Sequence, residues 1–126
     1  MNCEEIRVDL RKADPQSRAE GQRCAKLLFK LNHTMPFTDE YNAALHELFG
    51  DNLGEGSSVA PPLSGACVSS MKIGKHVFIN SSLLAMARGG IIIEDNVRIA
   101  ANVQLLSNNH DPYDLDILTC KPVLIG

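Results

Sequence analysis

Tryptophan is missing from this chain of 126 residues, and its other large aromatics stop at four phenylalanines and two tyrosines. Any core it builds must therefore be mainly aliphatic. None of its four cysteines, Cys3, Cys24, Cys67 and Cys120, is spaced as CxxC, which removes the usual sequence sign of a zinc knuckle or a dithiol redox centre. The longest uninterrupted apolar run is "LLAMA", far short of the ~20 residues a membrane span needs. The opening "MNCEEIRVDLRK" is too charged for a secretory signal, so reduced thiols and a cytoplasmic setting are expected. Basic residues form no stripe: 12 Lys and Arg are scattered among 15 Asp and Glu, with a net charge of -3. Neither nucleic acid nor a membrane is an expected partner.

What is present divides into two parts with different periods. Residues 1–50 read as a helical region. Asp14 and Pro15 form an N-terminal start signal, and Ala19, Cys24, Leu27, Leu28 and Leu31 follow as an apolar face. "FTDEYNAALHELFGDN" then offers Thr38 as a cap, acids in the first turn and Gly50 as a stop. The expectation is a helical hairpin. After Gly50 comes a Gly-, Ser- and Pro-rich connector, and from Met71 the aliphatic period becomes six: Ile73 and Ile79, then Ile93, Ile99 and Leu105.

Neither a helix nor an alternating strand repeats every six residues. The hexapeptide parallel β-helix does, because each short strand and its turn send one aliphatic side chain into a stacked coil. Residues 51–126 are therefore expected to form a β-helix domain. One polar stretch breaks the rhythm, and a loop over 106–122 is expected to project there. Ile93 and Ile125 are 32 residues apart, against about 18 for a coil of three hexapeptides.

"KLLFKLNHTMP", "LHELFGDNLGEG", "IGKHVFIN", "ARGGIIIEDNVRIAANVQLLSNNHDP" and "KPVLIG" occur in an order that resembles the galactoside and maltose O-acetyltransferase family. The resemblance runs through almost the whole chain. It implies a left-handed coil, a homotrimer with active sites between subunits, and acetyl transfer from acetyl-CoA to a sugar hydroxyl without a metal. It also implies site residues. His110, in "NNH", matches the catalytic histidine; Asn80, in "VFIN", matches an acceptor-sugar contact; and Phe78 matches an aromatic near the acceptor. The family has further coils after "KPVLIG", so the chain is expected to be shortened at its C-terminus, and no coenzyme-binding residue can be assigned.

A neutral imidazole suits the proton transfer, with an ordinary pKa near ~6.5. Asn80 can donate to and accept from sugar hydroxyls. The bland alternatives are a His110 that caps a surface turn with Asn109 and Asp111, an Asn80 that serves the coil's own turn, and a Phe78 that only packs. His33 and His46 are expected to be structural or exposed in the helical region, and His76 to be a turn residue. Where many relatives carry an acid, "MARGG" has Ala87 followed by Arg88. Ala66 likewise stands where a polar or acidic residue is usual, which leaves the acceptor open. The alternative function is a catalytically incompetent, shortened member that persists as an oligomeric or interaction module. A metal-dependent β-helix enzyme would need three converging histidines, and His76 and His110 find no third in the repeat.

Overall fold

The structure, a computed structural model, describes residues 5–12 and 14–126. Cys3 and the first residues of the charged opening lie outside the described residues. The first element among the described residues is a strand, β1 (Ile6–Asp9), within the region expected to be helical. Asp14 then starts α1 (Pro15–Asn32) by accepting the Gln16 N–H at 3.1 Å, with Pro15 where a helix has no use for an N–H. Cys24, Leu27, Leu28 and Leu31 are buried on one face, but Ala19 is exposed. The expected apolar stripe thus begins later, because the first turns of α1 overhang the core.

Thr38 accepts the Tyr41 N–H at 3.2 Å and starts α2 (Asp39–Phe49), which ends at Gly50 with φ 55°. The two helices pack against one another and bury Tyr41, Ala44, Leu45, Leu48 and Phe49 from the second. Among the described residues, no helix is long and apolar enough to cross a membrane.

The remaining chain winds as a coil of short strands: β2 (Ser58–Val59), β3 (Leu63–Ala66), β4 (Lys72–Ile73), β5 (Phe78–Ile79), β6 (Leu83–Met86), β7 (Ile91–Ile93), β8 (Arg98–Ile99) and β9 (Gln104–Leu106). After an excursion containing β10 (Asn108–His110) and β11 (Ile117–Cys120), the coil resumes with β12 (Val123–Ile125). Its strands stack in three parallel sheets, ordered β2-β5-β8, β3-β6-β9 and β4-β7-β12. The aliphatic columns are those of the six-residue pattern. Val59, Ile79 and Ile99 align, as do Ile73, Ile93 and Ile125.

Ile73 pairs with Ile93, so a rung takes 20 residues rather than about 18. Two of its three corners keep the hexapeptide length. The third, between β3 and β4 and again between β6 and β7, is longer by two residues. Ile93 pairs with Ile125 across the same corner of the next rung, 32 residues on, so the excursion adds 12 residues there. The loop is thus an enlargement of the one corner where every rung already departs from the hexapeptide.

The tight corners explain several polar residues. His76 and Asn96, one rung apart, both have positive φ (55° and 62°), beneath Gly56 (74°). Ser82 and Asn102 (66° and 63°) repeat the device at the next corner. Short polar side chains tolerate this left-handed region better than aliphatic ones, so His76 is a turn residue, as read from the sequence.

The helices cover the side of the first rung. The Asn32 side chain accepts the Leu63 N–H at 2.8 Å and donates to the Leu63 carbonyl at 2.7 Å. It acts as a one-residue strand against β3. The buried Tyr41 hydroxyl donates to the Val59 carbonyl on β2. Both bonds satisfy backbone groups that an exposed sheet edge would otherwise offer to another chain.

Candidate active site

The excursion is sewn to the coil at its root. Ser107 is almost fully buried. Its hydroxyl donates to the Met86 carbonyl at 2.5 Å and accepts the Gly89 N–H at 2.9 Å, while its carbonyl accepts the Lys121 N–H at 2.7 Å. A polar group inside an aliphatic coil is stable only when so satisfied. From this root the chain forms an antiparallel hairpin, β10 with β11, and β1 adds itself to the outer side of β11 in the order β1-β11-β10.

His110 ends β10, exposed to solvent. Its Nδ1 lies 3.1 Å from the Leu115 carbonyl oxygen. A carbonyl only accepts, so Nδ1 carries a proton, and in the neutral imidazole the lone pair is then on Nε2. The backbone N–H of His110 donates to Asn109 Oδ1 at 2.9 Å, which fixes the strand end from the other side.

Asp111 follows and is largely buried. It does not orient the imidazole. One carboxylate oxygen accepts the Tyr113 N–H at 2.8 Å and the other is held by the Arg7 guanidinium at 2.5 Å. The Arg7 contact, helped by the Tyr113 N–H, lowers the carboxyl's pKa from its ordinary value. The reciprocal contact raises that of Arg7. Two residues 104 positions apart thereby clamp the hairpin turn to the N-terminal strand. Sequence reasoning missed Arg7, Ser107 and this role of Asp111; a pair so distant in sequence leaves no local signal.

Asn80 sits at a different corner of the coil, between β5 and β6. Its side-chain oxygen accepts the N–H of Ser81 at 2.7 Å, serving the coil's own turn, and its amide nitrogen keeps its donors. Phe78, half-buried on β5, lines a small apolar hollow with Pro36, Phe37 and Tyr41 beside the helices. Within one chain the structure therefore does not bring Asn80 or Phe78 to the corner that carries His110.

The other histidines are placed as read from the sequence. His33 stacks on Phe29 with ring centroids 4.1 Å apart. His46 is exposed on α2, and His76 occupies its turn. Among the described residues, no group of three or more His, Cys, Asp or Glu could hold a metal ion.

A larger hollow opens between α1, β1 and the long corners of the first two rungs, at residues 67–70 and at Arg88. Two adjoining cavities of about 520 and 370 Å³ share Val8, Asp14, Ser17, Gly21 and Arg88 in their walls. Sequence reasoning had marked Arg88 only as a departure from the acid of many relatives.

No family model matches the chain. Over 103 residues it is 29% identical to galactoside O-acetyltransferase of Escherichia coli (strain K12), covering 82% of this chain and 49% of that protein. The chain thus spans about half the length of the curated relative it matches. Among solved structures it is similar to a hexapeptide-repeat-containing acetyltransferase of Vibrio cholerae (TM-score 0.80, 29% identity, 92% of this chain and 68% of that one). It is also similar to such an acetyltransferase from Vibrio cholerae O1 biovar eltor complexed with acetyl coenzyme A (0.77, 27%, 87% and 61%). A third likeness is to galactoside acetyltransferase in complex with coenzyme A (0.79, 25%, 88% and 57%). In sequence over most of its length, and in the fold of its coil, the chain is similar to hexapeptide-repeat acetyltransferases, galactoside O-acetyltransferase among them.

Proposed function

We propose that the chain transfers acetyl from acetyl-CoA to a hydroxyl of a sugar, with His110 as general base. The observation that carries this reading is the bond between His110 Nδ1 and the Leu115 carbonyl. It fixes the tautomer in which Nε2 can accept a proton, on an exposed strand end that a substrate can reach. As the acceptor oxygen attacks the acetyl carbonyl carbon, Nε2 takes its proton. The tetrahedral adduct collapses by breaking the carbon–sulfur bond, and the proton passes from the imidazole to the leaving thiolate. One ester and one free thiol result. Relatives solved with acetyl-CoA or coenzyme A support the choice of donor.

The same proposal includes a homotrimer and a left-handed coil. Tyr113 and Leu115 at the hairpin tip are 97% and 69% exposed. Apolar side chains presented together at a loop tip suit burial against another subunit. A neighbouring copy would also supply Asn80 and Phe78, which stand away from His110 within one chain. The comparisons lend no support to a shortened, inactive module as the alternative.

Acetyl-CoA incubated with the folded protein and a panel of glycosides tests the reading through thiol release. Release that depends on a hydroxyl acceptor is expected. A folded sample that releases no thiol above background with any acceptor overturns the reading.

A further inference from the structure

We propose that the hollow at the foot of the His110 hairpin receives an anionic group, a carboxylate or a phosphate, carried by the acceptor sugar. The inference rests on the acetyltransferase reading and adds the class of acceptor to it.

Arg88, Arg18 and Lys12 line the two adjoining cavities. Among the described residues, none of the three has an ion-pair or side-chain hydrogen-bond partner. The acids of the same walls are already engaged. Asp9 holds Arg11 at 2.9 Å. Asp14 accepts from the Gln16 N–H at 3.1 Å and the Ser17 hydroxyl at 3.3 Å, so the N-terminus of α1 is occupied by its own cap. Glu20 holds Arg23 at 2.8 Å and accepts the Ser69 hydroxyl at 2.8 Å. Asp9 and Glu20 are matched by arginines, and Asp14, bonded only to neutral donors, sets one negative charge against three cations, so among the described residues the hollow keeps an excess of positive charge. A guanidinium offers a planar fork of donors suited to a carboxylate or phosphate. A neutral sugar would leave that donor set without a charged partner.

The hollow and the imidazole also share a surface. Val8 pairs with Leu118, and Leu118 pairs with His110, across the antiparallel sheet. Directly opposed residues of such a ladder point to the same face. The Val8 that walls the cavities and His110 therefore lie on one face, two strand spacings or about 10 Å apart. Arg88 is held from the other side, because the next residue, Gly89, donates its N–H to Ser107 at the hairpin root at 2.9 Å. An acceptor anchored by its anion in the hollow can extend a hydroxyl towards Nε2.

Calorimetric titration with galactose, galacturonate and galactose 6-phosphate, without acetyl-CoA, tests this in the wild type and in Arg88→Gln and Arg18→Gln. At low salt at least one anionic sugar is expected to bind about 10-fold or more tighter than galactose. The preference should shrink with added salt and be lost in Arg88→Gln. The stronger anion identifies its source as a uronate or a sugar phosphate. Equal binding of the three sugars, no measurable binding of any, or a preference retained in both variants overturns the inference. Circular dichroism establishes that the variants are folded. Anion preference without acetyl transfer counts against the transferase reading alone, and transfer to neutral glycosides without anion preference counts against this inference alone.

Discussion

The coil and the hairpin sheet that leaves it are built on opposite principles. In the coil, strands two to four residues long repeat in register and their inward side chains are dry: Ile79, Leu83 and Ala85 are 0% exposed. Each rung buries the aliphatic column of the one below, so the structure gains from apolar area removed from water. In the antiparallel sheet the ties are polar: Arg7 to Asp111, His110 to a carbonyl, and Ser107 at the root. Its outer residues Ile6, Tyr113 and Leu115 remain exposed. A stacked coil admits few polar groups inside, so reactive side chains belong at corners and insertions. The enlarged corner is where this chain can add residues without disturbing the columns.

The contrast can be broken most severely from the coil side. Leu83→Ala empties a fully buried position in the middle rung and should cost about 2–5 kcal/mol. Chemical denaturation should then show coil and hairpin losing structure together. Gly89→Ala acts at the junction: a Cβ there would meet the Ser107 carbonyl oxygen at 2.2 Å and the Lys121 nitrogen at 2.9 Å. A cost of about 1–3 kcal/mol is expected, and hydrogen exchange should rise first in residues 106–122. Exchange that rises uniformly through the coil would remove the distinction between the two regions.

Tyr41→Phe should cost about 1 kcal/mol, because the Val59 carbonyl loses its donor. Burial pushes the Tyr41 phenol up to about 12. Its contribution is therefore complete below the ordinary tyrosine value near ~10 and is lost as pH rises towards about 12. Alkaline denaturation curves of wild type and Tyr41→Phe should converge over that window. Arg7→Gln should have the smallest effect on global stability, since the guanidinium is 59% exposed. Proteolysis should nonetheless become faster at the hairpin turn. The Arg7 contact depresses the Asp111 carboxyl, so in wild type the clamp is complete above the ordinary Asp value near ~3.9 and is lost as pH falls through the depressed one. Arg7→Gln should weaken that acid-side dependence, leaving the part due to the Tyr113 N–H.

The columns were legible because each of Ile73, Ile79, Ile93, Ile99 and Leu105 does one thing, pointing inward at a fixed interval. The caps Asp14 and Thr38 were legible because their bonds are local. The 20-residue rung was not: its two added residues fall in corners such as Ala87–Gly90, where no apolar spacing marks them. Nor was β1. "IRVD" carries little strand signal of its own and becomes a strand only by pairing Ile6 with Cys120 and Asp9 with Ile117. His110 could be named from a resemblance, but its carbonyl partner five residues on depends on how the hairpin turns. The cationic hollow was invisible for the same reason, since Lys12, Arg18 and Arg88 meet only in three dimensions.

The central claim is that a rigid coil presents the His110 imidazole as a proton acceptor. The direct test is the rate of acceptor-dependent thiol release by His110→Ala, measured beside its melting curve. The melting curve should match that of wild type, because the ring is exposed and bonds only within its own hairpin. The rate should fall by about 100- to 10,000-fold. A folded His110→Ala that transfers acetyl at the wild-type rate would contradict the account.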